Sequence, residues 1–118
     1  MSKRWMFSIL VIIAFSCDDV LETDIRDDTV VLKAPKDGYS AGSQSIVFWW
    51  ESLKGATRYH LVVVSPELAN PTTLIMDTVI VKTQFSLTLT EGQYQWCVKG
   101  MNDGYETDFT CRSIEITN

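Results

Sequence analysis

From Thr29 onward, apolar and polar residues alternate with a period of two, the pattern of strands with one buried face. Ile46, Phe48 and Trp50 fall on one face of such a run, Val47 and Trp49 on the other. Tyr59, Leu61 and Val63 share a face further on, as do Phe85, Leu87 and Leu89. The runs are rich in Val, Ile, Thr, Phe, Tyr and Trp, which fit a pleated surface. Gly, Pro, Asn and Asp, the residues of turns, break them apart. The pattern predicts strands over 29–34, 45–51, 58–65, 73–79, 84–89, 93–101 and 107–116. No helical periodicity of useful length and no internal repeat accompanies them. Seven short strands in a stretch of 90 residues predict an all-β, seven-stranded immunoglobulin-like sandwich.

The N-terminal residues follow a different rule. Lys3 and Arg4 precede an apolar run, Trp5 to Phe15, which gives way at once to Ser16-Cys17-Asp18-Asp19. A positive start, a short apolar stretch and a small residue before a cut form a secretory signal. The run is 11 residues long, against the roughly 20 that a helix needs to cross a bilayer. Because a cysteine follows the cut, Ala14-Phe15-Ser16-Cys17 resembles the lipobox of bacterial lipoproteins. That resemblance implies cleavage between Ser16 and Cys17 and lipid attached to Cys17. An ordinary cleaved signal, leaving Cys17 free, is the alternative. The expected organisation is a signal over 1–16, a tether over 17–28 and a domain over 29–118. The tether carries Asp18, Asp19, Glu22, Asp24, Asp27 and Asp28 and reads as a solvated, self-repelling spacer.

Loss of the signal removes Lys3 and Arg4, leaving 8 basic side chains against 15 acidic ones. No basic cluster survives, which argues against nucleic acid as a partner. The same balance argues against tight binding to anionic lipid headgroups beyond the anchor itself.

Several residues narrow the fold. Pro35 follows the first strand, and Trp50 closes the second with an inward indole. Gly55-Ala56-Thr57 leads into Tyr59, Leu61 and Val63. Gly92 leads into Tyr94, Trp96 and Val98. This pattern resembles the fibronectin type III domain over about 90 residues. The resemblance implies that Tyr94 is the tyrosine of the corner, its ring packed inward and its hydroxyl bonded back to the chain. A short lipoprotein beginning Cys-Asp-Asp and continuing into such a sandwich further resembles accessory outer-membrane lipoproteins of Gram-negative bacteria that process polysaccharides. Members of that group often carry a further C-terminal domain. The acidic tether resembles their surface-export signals, although in other bacteria an aspartate after the cysteine retains the protein at the inner membrane. Localisation is therefore expected at the outer membrane, on the cell surface, with a periplasm-facing or inner-membrane position as the alternative.

With Cys17 assigned to lipid, Cys97 and Cys111 remain. A hairpin around Asp103-Gly104-Tyr105 sets Tyr94 opposite Ile114, Trp96 opposite Arg112 and Cys97 opposite Cys111. The even-numbered residues then point inward, and both cysteines lie together on the outward face. Directly opposed residues have Cα atoms roughly 4.5–5.5 Å apart, a spacing that a disulfide accepts, and a compartment outside the inner membrane permits oxidation. Free thiols are the alternative.

Catalytic chemistry finds no foothold. His60 is the only histidine and lies mid-strand, with no partner assigned. No nucleophile elbow, phosphate-cradling glycine loop or metal-ligand cluster is present, so no cofactor and no metal are expected. Trp49 should face outward, where an indole can stack on a sugar or anchor a protein; packing beneath a neighbouring side chain is the alternative. Val62 and Val64 add an outward apolar face on the other sheet. Asp28-Thr29-Val30 and Asp77-Thr78-Val79 resemble a bacterial O-glycosylation motif, which makes Thr29 and Thr78 candidate acceptors.

These features point to a non-enzymatic, lipid-anchored cell-surface binding or adhesion module, an accessory to glycan capture. The second expectation is a structural docking subunit of an outer-membrane transporter or surface complex.

Overall fold

The structure, a computed structural model, describes residues 22–117. The signal, the cleavage site at Ser16 and the lipidation candidate Cys17 lie outside the described residues. Eight strands follow in order: β1 (Leu32–Ala34), β2 (Tyr39–Gly42), β3 (Gln44–Trp50), β4 (Arg58–Ser65), β5 (Thr73–Ile80), β6 (Gln84–Leu89), β7 (Gly92–Met101) and β8 (Thr110–Thr117). They form two sheets, β1-β3-β6 and β2-β8-β7-β4-β5. Neighbours are antiparallel except β2, which runs parallel to β8.

The expected all-β sandwich is present, with eight strands where seven were predicted. The added strand is β2. Tyr39-Ser40-Ala41-Gly42, bounded by Gly38, looks like a turn in isolation. It becomes a strand because the edge of β8 offers it a ladder, with Tyr39 opposite Ile114 and Ala41 opposite Ile116. The last strand starts at Thr110, three residues later than predicted. Thr107 is buried and bound into a loop instead: its backbone N–H donates to Gly100 O, and its hydroxyl accepts from Gly100 N.

The core lies between the sheets. Phe48, Trp50 and Trp96 are fully buried, with the Phe48 and Trp96 rings 5.1 Å apart and Trp50 set edge-on to Tyr59 at 5.9 Å. Fully burying one large apolar side chain contributes about 1.5–3 kcal/mol, so these rings anchor the two layers to each other. Tyr94 closes one end. Its hydroxyl donates to Thr90 O at 2.7 Å, and its ring lies where a Cβ on Gly92 would come within 3.3–3.4 Å.

Residues 22–28, expected to belong to a solvated spacer, pack onto the opposite end. Ile25 is fully buried. Asn102, 4% exposed, donates from Nδ2 to Thr23 O and Gly55 O and accepts at Oδ1 from Gly104 N and Tyr105 N. The acidic composition of the segment hides this docking, in which buried Ile25 and the Thr23 carbonyl act with Glu22 Oε1, which accepts from Asp103 N at 3.4 Å.

Candidate functional site

The outer face of the three-stranded sheet carries Trp49. The burial alternation of β3 places Ile46, Phe48 and Trp50 inward and Ser45, Val47 and Trp49 outward. Trp49 is 45% exposed and Val47 49%, so the indole stands free of the cover that the alternative reading supplied. Directly across on β6, Gln84 faces Trp49, Ser86 faces Val47 and Thr88 faces Ser45. Lys33 is the outward residue of β1, and its ammonium lies 3.3 Å from the Glu51 carboxylate. The outward strand positions therefore combine an indole, an aliphatic, an amide, hydroxyls and a lysine, with no carboxylate among them. A flat aromatic beside amide and hydroxyl groups can stack on one ring face of a sugar and hydrogen-bond its hydroxyls.

A depression of about 460 Å³ continues this face, lined by Lys33, Pro35, Lys36, Tyr39, Gln44 and Val47 among others. Gln44 Nε2 donates to the Tyr39 hydroxyl at 3.4 Å. Arg112 of β8 donates from Nη1 to Pro35 O at 3.0 Å and from Nη2 to Leu32 O at 2.7 Å. This holds the backbone of the segment that crosses from one sheet to the other. The sequence pattern singled out Trp49 but not Lys33, Lys36, Tyr39 or Gln44. They converge only because Tyr39 begins the unpredicted strand β2.

Cys97 and Cys111 are bridged, their Cα atoms 4.1 Å apart and 14 residues apart in sequence. The register is the predicted one, with Tyr94 opposite Ile114 and Trp96 opposite Arg112. The cysteines sit on the outward face of their sheet, yet Cys97 is fully buried, and so nearly are Val62 and Val64. The apolar Val62/Val64 surface is thus closed by the chain itself. The β4–β5 connection folds back over it, with Leu68 N donating to Gln95 Oε1 and the Ser65 hydroxyl to Gln93 O. A groove of about 420 Å³ remains there, lined by His60, Val62, Leu68, Leu74, Asp77 and Phe109 among others.

His60 is not solitary. Its Nε2 is paired with the Asp77 carboxylate, and its ring lies 5.4 Å from that of Phe109. Lys99, paired with Glu106, stands 4.9 Å over the same Phe109 ring. No nucleophile adjoins this pair in the contacts described. Of the candidate glycosylation positions, Thr29 is exposed and Thr78 is half-buried on β5. Among the described residues, no group of three His, Cys, Asp or Glu side chains could hold a metal ion. Among the same residues, no helix is long and apolar enough to cross a membrane.

At the end where residues 22–28 dock, Arg26 donates from its backbone N and Nε to Asp24 Oδ1 and from Nη2 to Oδ2. The guanidinium also lies 5.0 Å from the centre of the Tyr105 ring. The side-chain and backbone hydrogen bonds from Arg26 hold the Asp24 pKa down to about 2.

No family model matches the chain, and no curated protein does. Among solved structures, the fibronectin(III)-like modules of Clostridium thermocellum CbhA superpose with a TM-score of 0.55 at 15% identity, covering 75% of this chain and 96% of that one. The crystal structure of FN3tt superposes with a TM-score of 0.50 at 15% identity, covering 75% and 97% respectively. At such identity the likeness speaks to architecture alone, and with the two-sheet topology and the tyrosine at the Thr90 corner it establishes the fold: this chain is a fibronectin type III-like β-sandwich.

Proposed function

We propose that this protein is a non-enzymatic, lipid-anchored binding module of the outer-membrane surface that captures polysaccharide on the outer face of its three-stranded sheet. The observation that carries the reading is Trp49, an exposed indole beside Gln84 and Ser86, with Glu51, paired to Lys33, at the border of that face. Lipid on Cys17 would restrict the module to two dimensions and raise the effective concentration of any chain it holds. Docking of residues 22–28 sharpens this geometry. Cys17 precedes Glu22 by five residues, so the anchor would hold that end of the sandwich within about 17 Å of the attachment point. Of the two candidate glycosylation sites, exposed Thr29 is favoured over Thr78.

The test is binding of the unlipidated chain (residues 18–118) to a polysaccharide panel, with Trp49→Ala alongside. Loss of one stacked indole should weaken binding about tenfold, equivalent to about 1.4 kcal/mol. A well-folded domain that binds no polysaccharide would sink the reading. Labelling of Cys17 by fatty acid in cells, abolished in Cys17→Ser, tests the anchor separately.

A second reading, a docking subunit of a membrane complex, is favoured by strand β5. It borders its sheet, and Leu74 and Val79 on it are exposed at 59% and 50%. An apolar strand edge is a template for pairing with another chain. Co-purification of a membrane protein with the native lipoprotein, lost on Val79→Lys, would support it.

A further inference from the structure

We infer that the polysaccharide taken by this face is anionic, bearing uronate carboxylates or sulfate esters; the inference rests on the glycan-binding reading of the Trp49 face. The chain as a whole is acidic, with 15 Asp and Glu against 10 Lys and Arg. The depression that continues the Trp49 face past Val47 inverts that balance. Lys33 and Lys36 line it, and no Asp or Glu does. Two carboxylates, Asp37 and Glu51, adjoin the lining lysines without lining the depression themselves. Asp37, next to Lys36, accepts from Ser113 N at 2.8 Å. Glu51 faces Lys33 in a half-exposed pair, which solvent screens and which a ligand anion can replace at little cost. The Lys36 ammonium forms no ion pair among the described residues.

A third cation holds the backbone of the segment that forms one wall. Arg112 donates its guanidinium to two backbone carbonyls, Pro35 O and Leu32 O, and forms no ion pair within 4 Å among the described residues. Two lysine charges thus line one 460 Å³ depression on a molecule of opposite net sign. Such local inversion of charge selects ligands by sign and repels the rest of an acidic surface from the same polymer, fixing its register. Trp49 would stack on one sugar ring while Lys33 and Lys36 meet the charged groups of its neighbours, and Tyr39 and Gln44 supply hydroxyl and amide contacts.

The experiment compares two matched pairs of polymers on the unlipidated chain: polygalacturonate with its full methyl ester, and dextran sulfate with dextran. Each anionic polymer differs from its partner in charge rather than in backbone. Binding of at least one anionic polymer should exceed that of its neutral partner and weaken as salt is raised. Lys36→Ala and Lys33→Ala should each cost about fivefold, and Lys54→Ala, elsewhere on the surface, should cost nothing. Equal, Trp49-dependent binding of neutral and anionic partners would overturn the inference and leave the glycan reading standing. An anionic preference indifferent to Lys33 and Lys36, or shared equally by Lys54, would overturn it as non-specific attraction. Binding of no polysaccharide in the wider panel would overturn both.

Discussion

Ile25 rests directly on Gly55: a Cβ on Gly55 would lie 2.9 Å from Ile25 Cγ2. Gly55 also has a φ of +94°, a conformation that side chains resist. The turn between β3 and β4 is therefore shaped to receive the N-terminal segment, and Asn102 fastens that segment from the other side.

Gly55→Ala should meet both obstacles at once. The positive φ and the contact with Ile25 are expected to cost about 2 kcal/mol together. Chemical denaturation reads the loss, and hydrogen exchange should quicken at residues 23–28 before the rest of the sandwich. An unchanged midpoint would show that the segment is loosely held.

Tyr94→Phe removes one hydroxyl and keeps the ring. The bond to Thr90 O is part-buried, and Thr90 O would lose that partner. The expected destabilisation is about 1 kcal/mol, with the near-ultraviolet circular dichroism of the core tryptophans preserved.

The Cys97–Cys111 bridge closes a loop of 14 residues, for which the chain-entropy account gives at most about 3 kcal/mol. An unreduced peptide map should show the two cysteine peptides joined. The double substitution Cys97→Ala, Cys111→Ala should lower the denaturation midpoint while leaving the fold intact, because Trp96 and Val98 still face inward beside it. Free alkylation of both thiols without reduction would remove the bridge from the account.

Asp24 supplies a pH dependence of known sign. The Arg26 guanidinium holds the Asp24 carboxyl at about 2, below the ordinary value of 3.8. Its pairing with Arg26 therefore contributes fully above pH 3.8 and is lost as pH falls toward 2. Carboxyl chemical shifts followed through this range should titrate low in the native chain and higher in Arg26→Ala, which loses the guanidinium but keeps the backbone N–H bond. Because both partners are solvent-exposed, the contribution to global stability is expected to be small.

Much of the sandwich is legible in the sequence, for a physical reason. A strand with one buried face writes its alternation into consecutive residues, so β3, β4, β6 and β7 can be read locally, as can the outward direction of Trp49. Tyr94 and the cysteine register follow from the same parity across one hairpin. Strand β2 cannot be read this way: its stability comes from the edge of β8, 75 residues further along at Tyr39 and Ile114. His60 likewise finds Asp77 only through the pairing of β4 with β5.

The residues beside Trp49 show the division most clearly. By itself the sequence determined an all-β chain, the inward set of aromatic residues, the parity that faces Cys97 toward Cys111, and an exposed indole, because each depends on the two-residue period of a strand. The closed sandwich alone settled that an acidic segment would dock through Ile25, that Val62 and Val64 would be covered, and that Lys33 and Lys36 would gather with Tyr39 and Gln44 around one depression. Those outcomes depend on distances between residues far apart in the chain, which burial and hydrogen bonding settle only once both sheets have closed on their core.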